Sequence, residues 1–160
     1  MKEILFIEAK SKEEYQIAGS LFQEYADQLG VDLEFQNFKQ ELATLETQFS
    51  RPHGVLFLVK NASDEFIGCF AVRDYEHPIC ELKRMYIKAE ARGLGIGRKM
   101  LEKSIEISRQ LGYEKMRLDT LPSMTKAQSL YRKMGFYDIA PYRYNPIEGT
   151  KFMEIDLVGG

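Results

Sequence analysis

The sequence predicts an α/β fold built on an α+β mixed sheet. Three features predict it: strand-like apolar runs joined by short turns in the middle of the chain, amphipathic helices on either side of them, and a strand–helix–strand unit in the second half. A length of 160 residues corresponds to one domain, which we expect to cover residues 1–160. A hydrophobic content of 44% with 29% charged residues is typical of a globular protein that buries its own core.

The first third of the chain predicts one strand and two helices. Residues 4–7 form a short apolar strand. Ser11 and Glu14 have the spacing of a capping box, in which both side chains satisfy backbone N–H groups at a helix start, and Gly30 ends that helix. A second helix is predicted over residues 38–49, after which an Arg-Pro pair breaks it.

Three strand-like segments joined by short turns follow, and they predict an antiparallel meander over 55–59, 66–72 and 79–87. In the third segment, apolar residues occupy even positions at Cys80 and Leu82 but odd positions at Met85 and Ile87. A strand cannot change parity without an extra residue, so we expect a β-bulge near residues 83–84, which would leave backbone N–H groups for a ligand. The alternative is a strand buried on both faces, where parity carries no information.

The second half adds a crossover and two closing strands. We predict a helix over 95–111, a strand over 115–118, a helix that ends at Gly135, and strands over 136–139 and 151–157. The order of elements is then βααβββαβαββ. Because the strand–helix–strand unit makes a parallel pair beside the antiparallel meander, the sheet is mixed.

Charge and composition exclude several classes of function. A net charge of −2 argues against a nucleic-acid binder or a protein that depends on anionic lipid. No apolar run approaches the roughly 20 residues of a membrane-spanning helix, and the N-terminus has no secretory pattern, so we expect a cytoplasmic protein. Two cysteines and two histidines, scattered along the chain, predict neither a disulfide framework nor a metal site.

A glycine-rich turn lies between the third strand of the meander and the next helix, with the sequence Arg92-Gly93-Leu94-Gly95-Ile96-Gly97-Arg98. Its glycines let the backbone approach a ligand closely, and the helix start offers free N–H groups suited to a pyrophosphate. A dinucleotide fingerprint would need a glycine at position 98, and a nucleoside-triphosphate loop would need Gly-Lys-Ser/Thr. A helix start without any ligand is the remaining alternative.

The turn carries a resemblance to a known family. Arg92-x-x-Gly95-x-Gly97 resembles the Arg/Gln-x-x-Gly-x-Gly/Ala signature of the GNAT superfamily of acetyl-CoA-dependent N-acetyltransferases. The preceding strand over 81–87 and the later Ala127-x-x-Leu130-Tyr131-x-x-x-Gly135-Phe136 are also similar to many members. The resemblance covers residues 54–140, and it implies a GNAT-type fold with splayed central strands.

The resemblance also implies where acetyl-CoA binds as co-substrate. The backbone over 85–87 would pair with the pantetheine arm like an added strand, and N–H groups over 93–98 would hold the pyrophosphate. Many members, though not all, contact the cofactor through an asparagine where this sequence has Met124, so the resemblance does not carry that hydrogen bond over to this chain. The implied cofactor-binding residues are Met85, Tyr86, Ile87, Arg92, Gly93, Leu94, Gly95, Ile96, Gly97, Arg98 and Tyr131.

Transfer to an amine needs a proton acceptor, a donor for the developing oxyanion and a partner for the departing thiolate. A primary amine with a pKa of about 10.4 is mostly protonated at pH 7, and Glu81 is the carboxylate best placed to act as base. A water chain would serve as well, and Glu81 would otherwise be a surface glutamate paired with a cation. A bulge N–H near Met85 is the expected oxyanion donor. The resemblance assigns the thiolate to Tyr131, which otherwise packs on an apolar stripe.

The expected function is transfer of an acetyl group to a primary amine of a small molecule or amino acid, by direct attack in a ternary complex. The alternatives are a non-catalytic acetyl-CoA-binding module of the same fold, and an acetyltransferase for protein lysines or N-termini. The expected acceptor walls lie at residues 30–37 and 142–146, with Phe35, Phe38, Tyr142 and Tyr144 as aromatic candidates and Arg84 or Arg143 for a carboxylate. A homodimer is an expectation drawn from relatives alone.

Overall fold

The structure is a computed structural model that describes residues 3–30 and 33–158, and only the backbone of residues 35 and 36. Its strands are β1 (Ile4–Glu8), β2 (Val55–Asn61), β3 (Phe66–Glu76), β4 (Ile79–Ile87), β5 (Lys115–Thr120), β6 (Tyr137–Ile139) and β7 (Lys151–Asp156). Its helices are α1 (Lys12–Leu29), α2 (Phe38–Ala43), α3 (Leu45–Gln48), α4 (Ile96–Gln110) and α5 (Thr125–Met134). Short 3₁₀ turns lie at Leu33–Gln36 and Ala89–Ala91.

The strands form one mixed sheet in the order β1-β2-β3-β4-β5-β7-β6. The first four strands pair antiparallel, β4 and β5 pair parallel, and β7 pairs antiparallel with both β5 and β6. The predicted meander and strand–helix–strand crossover are therefore confirmed, as is the mixed sheet. The capping box is confirmed as well, because the Ser11 and Glu14 side chains each bond the other's backbone N–H at the start of α1.

Helices cover both faces of the sheet. One apolar layer packs α4 and α5 against the sheet, and it includes Met100, Leu101 and Tyr131. The other layer packs α1, α2 and α3 against the opposite face, and it includes Phe22 and Phe49. The sheet is covered on both sides as in other α/β proteins, so its central strands are apolar on both faces.

The β-bulge in β4 is confirmed by the pairing with β3. Cys69 lies opposite Tyr86 whereas Ala71 lies opposite Lys83, so β4 contains one more residue than β3 over this interval. Arg84 lies within the bulge and has a φ angle of 56°, in the left-handed region that few side chains adopt.

The parity change across the bulge is also present in the packing. Cys80 and Leu82 belong to the α4–α5 layer, and after the bulge Met85 and Ile87 pack against that same layer. Tyr86, at an even position beyond the bulge, instead belongs to the layer under α1. The extra residue therefore keeps apolar side chains facing the same core along the whole strand.

The central parallel pair is short. β4 and β5 pair at Ile79–Glu81 with Lys115–Arg117, and both strands continue beyond the last pair, β4 to Ile87 and β5 to Thr120. This is the splayed arrangement that the resemblance implied. It leaves a gap in the middle of the sheet at the level of the bulge.

The helix predicted over residues 38–49 is wrong, because two short helices occupy this segment. The break lies at Thr44, whose φ and ψ angles are −130° and 32°. The Thr44 hydroxyl donates to the Gln40 carbonyl at 2.7 Å, and its N–H bonds Glu41 at 3.1 Å instead of the carbonyl four residues back. Such local bonds of threonine compete with the helical pattern, and apolar spacing alone does not register them.

β3 is also longer than the apolar run that predicted it. It continues from Val72 to Glu76, and the added residues pair with Ile79–Glu81 of β4 across a second bulge near residue 75. These added positions carry charged or aromatic polar side chains, so hydrophobicity gave no signal for them. The extension matters because it places Arg73 and Tyr75 beside the site described below.

Candidate active site

The glycine-rich turn presents exposed backbone at the start of α4. Gly93 and Gly95 have φ angles of 82° and 76°, which favour glycine. Gly95 precedes α4, and no side chain caps the helix there. The first N–H groups of α4 have no partner within the helix, and the positive end of its dipole lies at the turn. This geometry suits a phosphate or a pyrophosphate.

The two arginines of the turn have different environments. Arg92 Nε donates to the Ile87 carbonyl at 2.9 Å, and its Nη2 donates to Gln28 Oε1 at 2.8 Å. The Arg98 side chain is 60% exposed and lies 3.6 Å from the Glu102 carboxylate. Arg92 therefore fixes the turn to the end of β4 and to α1, whereas Arg98 is the arginine with freedom to meet an anion.

The other residues expected to contact the cofactor differ in what they expose. Leu94 is exposed on the turn, whereas the Ile96 side chain is buried in the core. Gly97 packs against β4, since a Cβ there would lie 3.3 Å from Ile87 Cδ1. Tyr86 is buried in the layer under α1. Ile96 and Tyr86 would therefore contact a ligand through their backbone groups and not through their side chains.

A narrow slot occupies the gap between β4 and β5. Its volume is about 30 Å³, and its walls include residues 82–85 of β4, Leu118 and Asp119 of β5, and Tyr131 of α5. The bulge and Tyr131 therefore share one cavity. Met124, which stands where many family members have asparagine, also lines it.

Tyr131 is buried beside the slot and packs on Phe136, with ring centroids 5.5 Å apart. Burial raises its pKa well above the usual range of a phenol, so the hydroxyl stays protonated. A protonated phenol can donate a hydrogen bond into the slot.

Glu81 lies at the last parallel pair and is completely buried. Its Oε1 accepts from Arg73 Nε at 3.2 Å, and its Oε2 accepts from Tyr142 Oη at 2.8 Å and from Arg143 Nη2 at 2.5 Å. Burial alone would raise the pKa of this carboxyl, but Lys83, Arg143 and Arg73 together outweigh it and lower the pKa. Glu81 is held ionised at neutral pH.

Two further charged groups, Lys83 and Asp119, line the slot. Lys83 is buried, and burial together with Arg84 lowers its pKa to about 8. Asp119 has an Oδ2 atom that is closed to solvent and accepts no hydrogen bond. A buried carboxylate oxygen without a donor is costly, so a donor that enters the slot would be stabilised there.

Arg84 is fully engaged inside the protein. Its Nε and Nη2 donate to the two carboxylate oxygens of Glu41 at 2.8 and 3.1 Å, and both residues are buried. Its guanidinium also lies 5.3 Å from the centroid of the Phe38 ring. The expectation that Arg84 holds an acceptor carboxylate is therefore wrong, because its guanidinium fork is already occupied by Glu41.

A larger cavity of about 470 Å³ opens on the α2–α3 side of the sheet. That volume falls within the range of small-molecule sites. Arg73 and Tyr75 of β3 line it together with Arg143 and Tyr144. Glu41 lines it as well, so the Glu41–Arg84 ion pair forms a boundary between this cavity and the slot.

The residues expected to form the acceptor walls are placed in different ways. Residues 31 and 32 and the Phe35 side chain lie outside the described residues. Phe38 is buried under Arg84, and Tyr142 contacts Glu81, so neither forms an open aromatic wall. Tyr144 is 77% exposed at the cavity rim.

The sequence missed Arg73, Tyr75, Gln48 and Asp119. The first two lie on the extension of β3 that hydrophobicity did not detect. Gln48 lies in α3, which the sequence predicted as part of one longer helix. Asp119 follows Leu118, where the predicted strand ended. Extending the predicted strands beyond Val72 and Leu118, through positions that alternate in polarity, would have included both Arg73 and Asp119.

Two absences apply to the part of the chain that the structure describes. Within 3–30 and 33–158, no group of three or more His, Cys, Asp or Glu side chains is placed to hold a metal ion. In those same ranges, no helix has the length and apolar content to span a bilayer.

A mixed sheet with a bulged, splayed centre and a glycine-rich helix start defines an acyl-CoA N-acyltransferase fold, and comparisons with known proteins agree. The model of the acetyltransferase (GNAT) family matches residues 15–136. An uncharacterised N-acetyltransferase of Schizosaccharomyces pombe is 38% identical over 138 residues, covering 86% of this chain and 85% of that protein. The chain belongs to the GNAT family and is an N-acetyltransferase.

Solved structures share the fold at low sequence identity. A GNAT-family acetyltransferase of Staphylococcus aureus has a TM-score of 0.77 at 21% identity, covering 97% of this chain and 99% of that one. A spermidine N-acetyltransferase of Vibrio cholerae, solved in complex with CoA and spermine, has a TM-score of 0.72 at 19% identity and covers 96% of this chain and 95% of that one.

Proposed function

We propose that the chain transfers the acetyl group of acetyl-CoA to a primary amine of a small molecule or amino acid, by direct attack within a ternary complex. The observation that carries the proposal is the slot, where the bulge of β4 and Tyr131 line one cavity in a break of the sheet. We place the reaction in the cytoplasm as part of the proposal, since Cys69 and Cys80 are free thiols and suit a reducing compartment.

The residues present fit acetyl-CoA in two places. The exposed glycine turn and the uncapped start of α4 suit its pyrophosphate, with Arg98 as an additional cation. The edge of β4 beyond Glu81, where pairing with β5 has ended, suits the amide-containing pantetheine arm. Acetyl-CoA supplies the acetyl group as a thioester, which a neutral amine can attack.

We assign Tyr131 to the sulfur atom. A thiol with a pKa of about 8.5 is a stronger acid than a phenol of about 10, and burial raises the pKa of Tyr131 further. Full proton transfer from Tyr131 to the departing thiolate is therefore uphill. Donation of a hydrogen bond is the role that its acidity allows.

We assign the developing negative charge on the acetyl oxygen to a backbone N–H at the bulge near Met85. A bulge leaves a residue unpaired in the ladder, and Met85 lines the slot. A backbone donor that is already oriented stabilises such charge without reorganising during the reaction.

The proton of the amine has two candidate acceptors. Glu81, the base that the sequence suggested, is one candidate. Its lowered pKa and its bonds to Arg73, Tyr142 and Arg143 make it a weak proton acceptor. A path of water molecules that ends at Asp119 is the other, because Asp119 lines the slot and its buried Oδ2 accepts no hydrogen bond. We favour the second, with Glu81 positioning the cations around it.

The experiment that tests the proposal begins with isothermal titration of the folded protein with acetyl-CoA, with ATP and NAD as controls. An amine panel with detection of the released CoA thiol follows, and it includes amino acids, spermidine and a lysine-containing peptide. Binding of acetyl-CoA alone, followed by turnover with a small amine, supports the proposal. Binding without turnover on any amine would leave an acetyl-CoA-binding module, and transfer to the peptide alone would indicate a protein acceptor.

A further inference from the structure

The cavity on the α2–α3 side has charged walls that the general reaction does not explain. Arg73 and Arg143 both line it, and both bond the same buried carboxylate, Glu81. Two guanidinium groups so close together repel one another unless an anion lies between them. The buried Glu81 carboxylate supplies that anion, so both guanidinium groups are held in fixed positions at the cavity wall.

The arginines keep hydrogen-bond capacity after Glu81 is satisfied. A guanidinium has five N–H donors, and Glu81 takes Nε and Nη2 of Arg73 while Gln48 Oε1 takes Nη1 at 3.1 Å. Of Arg143, Glu81 takes Nη2, and the buried Nε has no hydrogen-bond partner. Both guanidiniums therefore retain N–H donors beyond those that Glu81 and Gln48 occupy, and a carboxylate is the group whose geometry matches such donors.

The charges around the cavity do not cancel. Three guanidinium groups, those of Arg73, Arg84 and Arg143, pair with only two carboxylates at this cavity, those of Glu41 and Glu81. One positive charge therefore remains in excess in a region that is largely removed from water. A monoanionic group in the cavity would balance it, whereas a cationic group such as a polyamine would meet net repulsion.

We infer that this cavity binds the carboxylate of the acceptor, held by Arg73 and Arg143, so that the enzyme acetylates amines that carry a carboxylate. The inference rests on the proposed function and narrows its acceptor. The ion pair of Glu41 and Arg84 borders both the cavity and the slot, so the proposed carboxylate site and the proposed reaction site are neighbours.

The first test uses the wild-type protein and matched acceptors. With saturating acetyl-CoA, kcat/KM is measured for aspartate, glutamate, methionine and phenylalanine, for the carboxamide of each, and for spermidine. We expect at least one free acid to exceed its α-carboxamide by about tenfold or more, mainly through KM, because the amide lacks the charge that two arginines bind. Equal rates for acid and amide, or spermidine as the preferred acceptor, would overturn the inference and leave the proposed function intact. No transfer to any amine would end both.

The second test asks whether the arginines carry the preference. In Arg143→Gln the ratio of acid to carboxamide should fall at least about fivefold, and Arg143→Lys should restore part of it, since lysine keeps the charge but not the fork. Arg132→Gln is the matched control, because Arg132 pairs with Asp138 at the surface. Damage to the fold lowers both rates together, so an unchanged ratio in Arg143→Gln would contradict the inference. If that variant does not fold, the wild-type ratio decides.

Discussion

Glu81 is a single ionised carboxylate that pairs with the two arginines lining the cavity on the α2–α3 side. Its two oxygens accept from Arg73, Tyr142 and Arg143, and all of its surface is buried. Replacing such a group by a neutral one leaves its partners as unpaired buried cations. Removing one partner of a buried pair lowers the free energy of unfolding more than replacing the whole pair by apolar side chains.

Glu81→Gln should lower the free energy of unfolding at pH 7 by about 3–5 kcal/mol. The folded-state pKa of Glu81 is depressed, so its stabilisation is present above the unfolded pKa of about 4.3 and is lost as the pH falls below that value. Urea unfolding of both proteins at pH 7, 5 and 3.5 measures this, and the difference should hold between pH 7 and 5 and shrink at pH 3.5. A difference that is the same at pH 3.5 would assign the cost to packing. Glu102→Gln, at an exposed position, should change stability by less than about 0.5 kcal/mol.

Tyr131→Phe should reduce kcat at least about tenfold while the affinity for acetyl-CoA stays within about threefold, because the lost hydrogen bond is needed most when the thiolate departs. Steady-state kinetics and titration with acetyl-CoA measure the two quantities. Tyr137→Phe is the control, since Tyr137 is exposed and bonds Glu154 away from the slot. Unchanged turnover in Tyr131→Phe would remove this residue from the mechanism.

Single residues differed in how well the sequence located them. Tyr131 was identified through a motif in which its neighbours are also characteristic, whereas Asp119 and Arg73 lie in no motif. Arg84 was chosen for its charge, and nothing in its local sequence indicates that Glu41, 43 positions away, occupies it. Long-range pairs of this kind depend on tertiary packing and are not encoded in spacing along the chain.

At the scale of elements, the glycine turn and α4 act as one unit. The turn bends through two positive φ angles, and α4 begins directly after it without a capping side chain. Its predicted start was within one residue of the observed one, since the prediction placed it at Gly95. Turn chemistry is local, which explains why the sequence located this element well.

Gly95→Glu should abolish measurable binding of acetyl-CoA in isothermal titration, because a carboxylate would occupy the anion site of the helix start. Gly95 has φ of +76° with open space around the position of a Cβ, so the backbone strain is the first cost of this substitution in the free protein. Gly112→Glu shares a positive φ of +93° and open space at the far end of α4, and it should bind normally. Equal affinity for acetyl-CoA in the two variants would contradict the assignment of the pyrophosphate to this turn.

The bulge in β4 and the break between α2 and α3 show which irregularities a hydrophobic pattern can predict and which it cannot. A change of parity over four apolar positions favoured the bulge, but a strand buried on both faces was an alternative that the sequence left open. The break at Thr44 depends on one hydroxyl bond, and apolar spacing continues across it. The meander and the parallel pair across the strand–helix–strand unit followed from connection rules, whereas the position of β7 between β5 and β6 was not derivable from the sequence.

For the whole molecule, a ligand that binds only the folded state must raise its stability. At a concentration of acetyl-CoA 100-fold above its dissociation constant, the gain is about 2.7 kcal/mol. A domain of this size should then melt roughly 5–11 °C higher, which scanning calorimetry or a dye-based melt can measure. ATP and NAD at the same concentration should leave Tm unchanged. A comparable shift with ATP would make the turn a general polyphosphate site.

The short pairing of β4 with β5 divides the sheet into two halves that share three residue pairs, at Ile79–Glu81 with Lys115–Arg117. Beyond that seam, each half has an interior edge whose backbone groups face the gap, as strands at the rim of an ordinary sheet do. Such amides exchange their hydrogens with solvent far more readily than amides in a closed ladder. A substrate arm laid along the gap would seal this seam, so the amides that face it should exchange more slowly when the substrate is bound.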